Sequence, residues 1–262
     1  MDSKIKLKGF DNVLNKMELD KIYLEDCIKG MKKIPDGSID CIICDLPYGT
    51  TACSWDTILP FEKLWEQYNR ITKEKAPIVL FGAEPFSTLI RMSNLKQYKY
   101  DWYWLKNNVT GFSFAKTQPM RQIETISVFG KHTPNYYPQG IVKIEKKTKN
   151  QSCKTDTVVS NRLRGREFVQ EYTGYPKNIL RYDKESKGTF HPTQKPVALL
   201  EYLIKTYTKE NEVVLDNCMG SGTTAIACLN TNRRFIGFET NEDYYRQSLE
   251  RIKNNVTQIE LL

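Results

Sequence analysis

Asp45-Leu46-Pro47-Tyr48 sets a carboxylate, a backbone carbonyl followed by proline, and an aromatic ring side by side. That set suits a planar exocyclic amine. The lone pair of such a nitrogen is delocalised into its ring, so the nitrogen is a poor nucleophile. A site that accepts both amine protons pushes the lone pair toward an electrophile. Asp45 supplies one acceptor and the Leu46 carbonyl the second, while Pro47 restricts Leu46 to extended conformations. Tyr48 offers a face for an extruded base, a contact worth about 1–3 kcal/mol. The bland reading is a strand end with a turn, because Asp and Pro are ordinary turn residues.

A second segment suits a nucleoside cofactor. Val213-Val214-Leu215-Asp216 is followed by Gly220-Ser221-Gly222 and Thr223, a glycine turn between a buried strand and a helix. Glycine lets the backbone pass close to a ligand. Glu239 ends the next strand, where a carboxylate accepts hydrogen bonds from ribose hydroxyls. Gly220 to Ala225 also fits a G-x-G-x-x-A dinucleotide fingerprint, which makes a nicotinamide or flavin oxidoreductase the rival reading. A plain glycine turn is a third. Asp216 tips the balance, because a carboxylate at that mouth suits the cationic sulfonium of S-adenosylmethionine and repels a pyrophosphate.

The elements that must position these groups alternate. Strands are expected at 22–26, 39–44 and 77–81, with helices at 27–34, 61–71 and 85–92. Residues 98–105 and 123–129 read as a strand pair around a long loop. Pro196 opens a helix over 195–207, then come a strand at 212–215, a helix at 222–229, a strand at 234–239 and a helix capped by Asn241 through 252. This pattern predicts an α/β fold with a doubly wound, mostly parallel sheet. Residues 131–189 lack a convincing period and read as an inserted module. The catalytic domain is then expected at 20–130 and 190–256.

Charge points the same way. The 262 residues carry a formal net charge of +8. From Lys131 to Lys187 thirteen Lys/Arg face six Asp/Glu, so nearly all the surplus lies in the insertion. A polyanionic partner fits that placement. Arg162, Arg164 and Arg166 form its sharpest cluster, suited to guanine edges or phosphates, or simply to a solvated face. Seven irregularly spaced cysteines make no disulfide framework. Cys41 and Cys44 lie on a strand with thiols on opposite faces, and only two histidines exist, so no metal site is expected. The N-terminus lacks a signal-peptide core and no run of ~18 apolar residues occurs, so a cytoplasmic chain with no membrane span is expected. Among the aromatics Trp102, Trp104, Phe112 and Phe114, core packing is the expected role for most. Lys106 and the loop after it are expected near an extruded base.

Together these segments resemble the S-adenosylmethionine-dependent DNA methyltransferases that modify exocyclic amines, in the circularly permuted β-class order. That family places an Asp-Pro-Pro-Tyr motif before its cofactor motif, with a target-recognition insertion between. Here Asp45 to Tyr48 come first, then the basic insertion, then His191-Pro-Thr193-Gln194-Lys195-Pro196, then the glycine segment. The resemblance covers roughly residues 20–255. It implies a Rossmann-like methyltransferase fold and double-stranded DNA as partner. Homodimers are common among members, so a homodimer is also an expectation. It assigns Asp45, Leu46, Pro47 and Tyr48 to catalysis. Asp26, Cys27, Asp45, Thr193, Gln194, Lys195, Asp216, Gly220, Gly222, Thr223 and Glu239 go to the cofactor, and Lys106, Arg162, Arg164 and Arg166 to DNA. Leu46 departs from the family's first proline, and Cys218 stands where an aromatic is frequent. Asp45 at the head of the motif resembles the adenine-N6 enzymes more than the cytosine-N4 ones. The role, whether in restriction–modification, a phage or an orphan regulator, is left open.

Overall fold

The apolar runs Cys41–Cys44, Ile78–Gly82 and Val213–Asp216 are buried at every residue, as strands covered on both faces must be. A computed structural model, described here over residues 13–14, 17–49, 56–151, 167–184 and 194–260, sets them side by side in one sheet. In chain order the elements are β1 (Val13–Leu14), β2 (Met17–Glu18), β3 (Lys21–Leu24), α1 (Cys27–Met31), β4 (Cys41–Cys44) and α2 (Phe61–Ile71). Next come β5 (Ile78–Gly82), α3 (Phe86–Ser93), β6 (Tyr98–Thr110), β7 (Arg121–Phe129), β8 (Val142–Gln151), β9 (Glu167–Thr173) and β10 (Ile179–Arg181). The chain closes with α4 (Val197–Tyr207), β11 (Val213–Asp216), α5 (Thr223–Asn230), β12 (Arg234–Glu239) and α6 (Glu242–Glu260).

The main sheet has eight strands in the order β10-β6-β7-β5-β4-β11-β12-β3. Only β7 runs against its neighbours; every other pairing is parallel. Two cores cover the two faces. One holds Leu64, Trp65 and Tyr68 of α2 and Phe86 of α3 against Ile42 and Cys44. The other holds Leu199, Leu203 and Tyr207 of α4 and Ala225 of α5 against Cys41, Ile43, Trp102 and Trp104. This is the doubly wound α/β arrangement expected. Cys41 and Cys44 do fall in opposite cores, as the pleat requires. Asn241 caps α6 by accepting from the Asp243 and Tyr244 amides at 3.0 and 3.1 Å, and the helix runs on to Glu260 rather than stopping near 252.

Two compact units are present: Met1–Tyr137 with Asn178–Leu262, and Pro138–Lys177. The second is built around the antiparallel pairing of β8 with β9. Both flanks of the expected 131–189 module join the first unit. The Asn135 and Tyr137 amides donate to the Lys75 and Thr206 carbonyls at 2.9 and 2.7 Å, and β10 pairs in parallel with β6. β10 escaped the sequence reading because three residues are too few to show a period. Phe112 and Phe114, at the tip of the β6–β7 hairpin, are 81% and 54% exposed rather than packed in the core. The hairpin outruns β5 there, so no second layer covers it. Among the described residues no helix is long and apolar enough to cross a membrane.

Candidate active site

The strand order creates the site. From β4 the chain passes through α2 to β5 on one side; from β11 it passes through α5 to β12 on the other. β4 and β11 are paired neighbours, so a crevice opens at their carboxyl ends where the connections diverge. Asp45 follows β4 and Asp216 ends β11. Both face one cavity of about 460 Å³, a size typical of small-molecule sites.

Asp45 continues the β4 alternation on the face of Cys41 and Ile43. Its Oδ1 accepts from the Tyr48 hydroxyl at 2.6 Å and its Oδ2 from Lys195 Nζ at 2.5 Å. Burial pushes the Asp45 carboxyl above the ordinary range against the pull of Lys195. Burial, followed by the adjacent Asp45 charge, lifts the Tyr48 phenol well above its usual value. The Leu46 side chain is buried in the core, and its carbonyl accepts no hydrogen bond among the described residues. One face of Tyr48 stacks on Phe86, with ring centroids 4.9 Å apart and planes at 21°, and Lys195 Nζ lies over the Tyr48 ring 5.9 Å from its centroid. On the far side of Lys195, Glu124 Oε2 lies 3.4 Å from Nζ, and Glu124 Oε1 accepts from Lys106 Nζ at 3.0 Å.

The glycine turn is held from below. Gly220 takes φ +53°, and its amide donates to Glu239 Oε2 at 2.8 Å. Glu239 Oε1 receives the Thr240 and Asn241 amides. Asp216 is buried; it accepts from Thr224 Oγ1 at 2.6 Å and from the Cys218 amide at 3.1 Å. Burial pushes its pKa up to about 6. Asp26 caps α1, accepting from the Lys29 amide at 2.9 Å, and lines the cavity mouth. Cys27, Gln194 and Thr223 line it too. Among the described residues the cavity-lining carboxylates are Glu25, Asp26, Asp45, Asp56, Asp216 and Glu239, against the single cation Lys195. Glu25 Oε1 is buried with no hydrogen-bond partner among the described residues. This donor-seeking, anionic lining fits a cationic sulfonium with an ammonium and two ribose hydroxyls, and is a poor host for a pyrophosphate.

Some expected residues sit elsewhere. Gly222, at φ +76°, does not line the cavity; a Cβ there would meet Ser248 Cβ at 3.1 Å, so its role is the close approach of α6. Lys106, expected near an extruded base, is only 7% exposed and is paired inward to Glu124, whose other oxygen faces Lys195 beside Asp45. Strand alternation explains this: Trp102, Trp104 and Lys106 share a face, and the first two are core. Thr193, Arg162, Arg164 and Arg166 lie outside the described residues. The sequence reading missed Glu124, Asn217 and Asp56. Asn217 accepts from the Tyr68 hydroxyl at 2.5 Å, and Asp56 accepts the Gly49 amide at 2.8 Å, bracing the turn after Tyr48. Glu124 did leave a signal, since it is a charged residue in phase with buried Ile126 and Val128.

Known proteins resemble this chain. Residues 39–250 match the family model described as DNA methylase. Type II methyltransferase M.HpaI of Haemophilus parainfluenzae is 29% identical over 88% of this chain and 74% of its own length. Among solved structures, the M1.HpyAVI–SAM complex superposes with a TM-score of 0.60 at 24% identity, over 88% of this chain and 98% of that one. The cytosine-N4-specific PvuII DNA methyltransferase superposes with a TM-score of 0.64 at 16% identity, over 91% of each chain. These matches exclude the oxidoreductase reading. With the two motifs converging on one anionic cavity, the chain belongs to the DNA methylase family, the S-adenosylmethionine-dependent methyltransferases of DNA base amines.

Proposed function

We propose that this chain methylates N6 of adenine in duplex DNA, at a short specific sequence, on a base turned out of the stack. One juxtaposition carries the reading: the Asp45–Tyr48 turn and the Gly220–Glu239 turn, far apart in sequence, line the same cavity. Glu239 and Asp26 hold the nucleoside end of the cofactor, while Asp216, Gln194 and the start of α4 surround its amino-acid end. Bound there, S-adenosylmethionine supplies an electrophilic methyl group on a sulfonium. Asp45 and the Leu46 carbonyl accept the two amine protons and orient the lone pair, and Asp45 is the nearest base for the proton the amine must lose. The face of Tyr48 away from Phe86 stacks the base.

The thiols beside the cavity do not compete for the methyl group. Burial pushes Cys44 up to about 12, and contact with Cys218, then burial, pushes Cys27 up as well, so both stay neutral and weakly nucleophilic. The basic segment through Arg162, Arg164 and Arg166 supplies phosphate and base contacts to the duplex. Cytosine-N4 methylation is the second reading, favoured by the likeness to the PvuII enzyme; Asp45 at the head of the motif supports adenine.

Nucleoside mass spectrometry on unmethylated DNA incubated with the protein and S-adenosylmethionine tests the assignment. N6-methyladenine is expected; N4-methylcytosine would overturn the base while keeping the mechanism. Asp45→Ala is expected to abolish turnover with cofactor binding within a few-fold of wild type. Full activity in that variant would remove Asp45 from the chemistry.

A further inference from the structure

Four charges, two buried and two half-buried, link the amine site to the sheet: Asp45, Lys195, Glu124 on β7 and Lys106 on β6. Their side chains are 21%, 9%, 17% and 8% exposed, and two cations face two anions. The arrangement poses a problem for the proposed chemistry. Asp45 must accept an amine proton, yet each of its oxygens already holds a donor, Tyr48 on Oδ1 and the Lys195 ammonium on Oδ2. An ammonium at 2.5 Å also withdraws the charge that makes the carboxylate a good acceptor.

Glu124 offers a way out. Its Oε2 is buried, accepts no hydrogen bond among the described residues, and stands 3.4 Å from Lys195 Nζ. Its other oxygen is pinned by Lys106 at 3.0 Å, which fixes the carboxylate's orientation. An ordinary charge-assisted hydrogen bond to Oε2 requires Nζ to move by only about half an ångström. That shift neither buries nor exposes a charge, so it avoids the several-kcal/mol penalty of stranding an ion. The Phe81 ring, 5.3 Å from Nζ, faces the cation from the same core.

We propose that Glu124 is a positioning residue that gives the Lys195 ammonium a second seat: Lys195 leaves Asp45 for Glu124 as the target amine arrives, and returns when the product leaves. The inference rests on Asp45 being the amine acceptor. Lys106 sets how strongly Glu124 attracts Lys195. The charged and titratable groups facing Asp45 are Tyr48 from its own turn, Cys44 at the end of β4, Lys195 ahead of α4, Glu124 on β7 and Asp216 at the end of β11.

The pH profile of kcat, with cofactor and DNA saturating, tests this in two variants that move it in opposite directions. Glu124→Gln removes the second seat and a negative neighbour of Asp45. Both changes lower the Asp45 pKa, so the acid limb shifts to lower pH while kcat near neutrality falls about tenfold. Lys106→Met frees Glu124 to draw Lys195 away, so the acid limb shifts to higher pH. In both, the KM for S-adenosylmethionine stays within about twofold, which a merely structural lesion would not preserve. Opposite shifts support the inference. Unmoved limbs in both, or shifts of the same sign, overturn it while leaving Asp45 in place. If Glu124→Gln fails to bind cofactor, Lys106→Met decides alone: an upward shift supports and an unmoved limb overturns. An active Asp45→Ala would overturn the underlying site reading, and this inference with it.

Discussion

Lys195→Met removes the cation from between two half-buried carboxylates and keeps most of the apolar stem. At an effective dielectric of about 20, the ammonium attracts Asp45 at 2.5 Å by about 7 kcal/mol and Glu124 at 3.4 Å by about 5 kcal/mol, before desolvation. Much of this only offsets the cost of burying the three charges, and Glu124 keeps Lys106. The expected loss of unfolding free energy at pH 8 is therefore that of breaking a buried pair, about 3–5 kcal/mol. Loss of the ammonium raises the folded-state pKa of Asp45 further above its unfolded value of about 4 and moves that of Glu124 upward. The folded variant then binds extra protons as the pH falls, so its deficit is largest above the folded pKa and shrinks below it. Urea unfolding at pH 8 and pH 5.5, followed by tryptophan fluorescence, measures both free energies; Trp65, Trp102 and Trp104 are buried reporters. A deficit under about 1 kcal/mol at pH 8, or one equal at the two pH values, would refute the electrostatic account of this cluster.

Three further outcomes are expected. Asp216 is pushed up to about 6 by burial, so it loses its charge as the pH falls through 6. S-adenosylmethionine affinity, measured by calorimetry, should drop by up to about tenfold between pH 7.5 and pH 5, and Asp216→Asn should flatten that dependence. Gly222→Ala forces a Cβ onto a φ of +76° and to 3.1 Å from Ser248 Cβ; a loss of about 1–2 kcal/mol in urea unfolding is expected, against none if the turn relaxes. Tyr207→Phe strips the acceptor from the buried Trp102 Nε1, now 2.6 Å from the hydroxyl, and should cost about 1–3 kcal/mol; an unchanged urea midpoint would show that another acceptor replaces it.

Local chemistry was legible in the chain. The fully apolar runs ending in Asp45 and Asp216 announced central strands, because only a strand buried on both faces tolerates such a run. Asn241 announced a helix start because its side chain satisfies the free amides there. Charges at alternation-defined core positions, Lys106 and Glu124, also left a mark, but alternation gives a residue's face and not its partner. The three-residue β10 left none, since so short a strand cannot show a period.

From sequence alone came the two motifs, their order, the α/β class and the proposed amine chemistry of Asp45 and Leu46, all read from short-range sterics and from which side chains must avoid water. Tertiary structure decided the rest. Pairing of β4 with β11 brings Asp45 and Asp216 to one crevice, and only the assembled sheet seats Lys195 between Asp45 and Glu124. Strand order and ion pairing are long-range properties: they depend on which distant segments close on each other and on how much water that closure removes. No window of neighbouring residues carries either quantity.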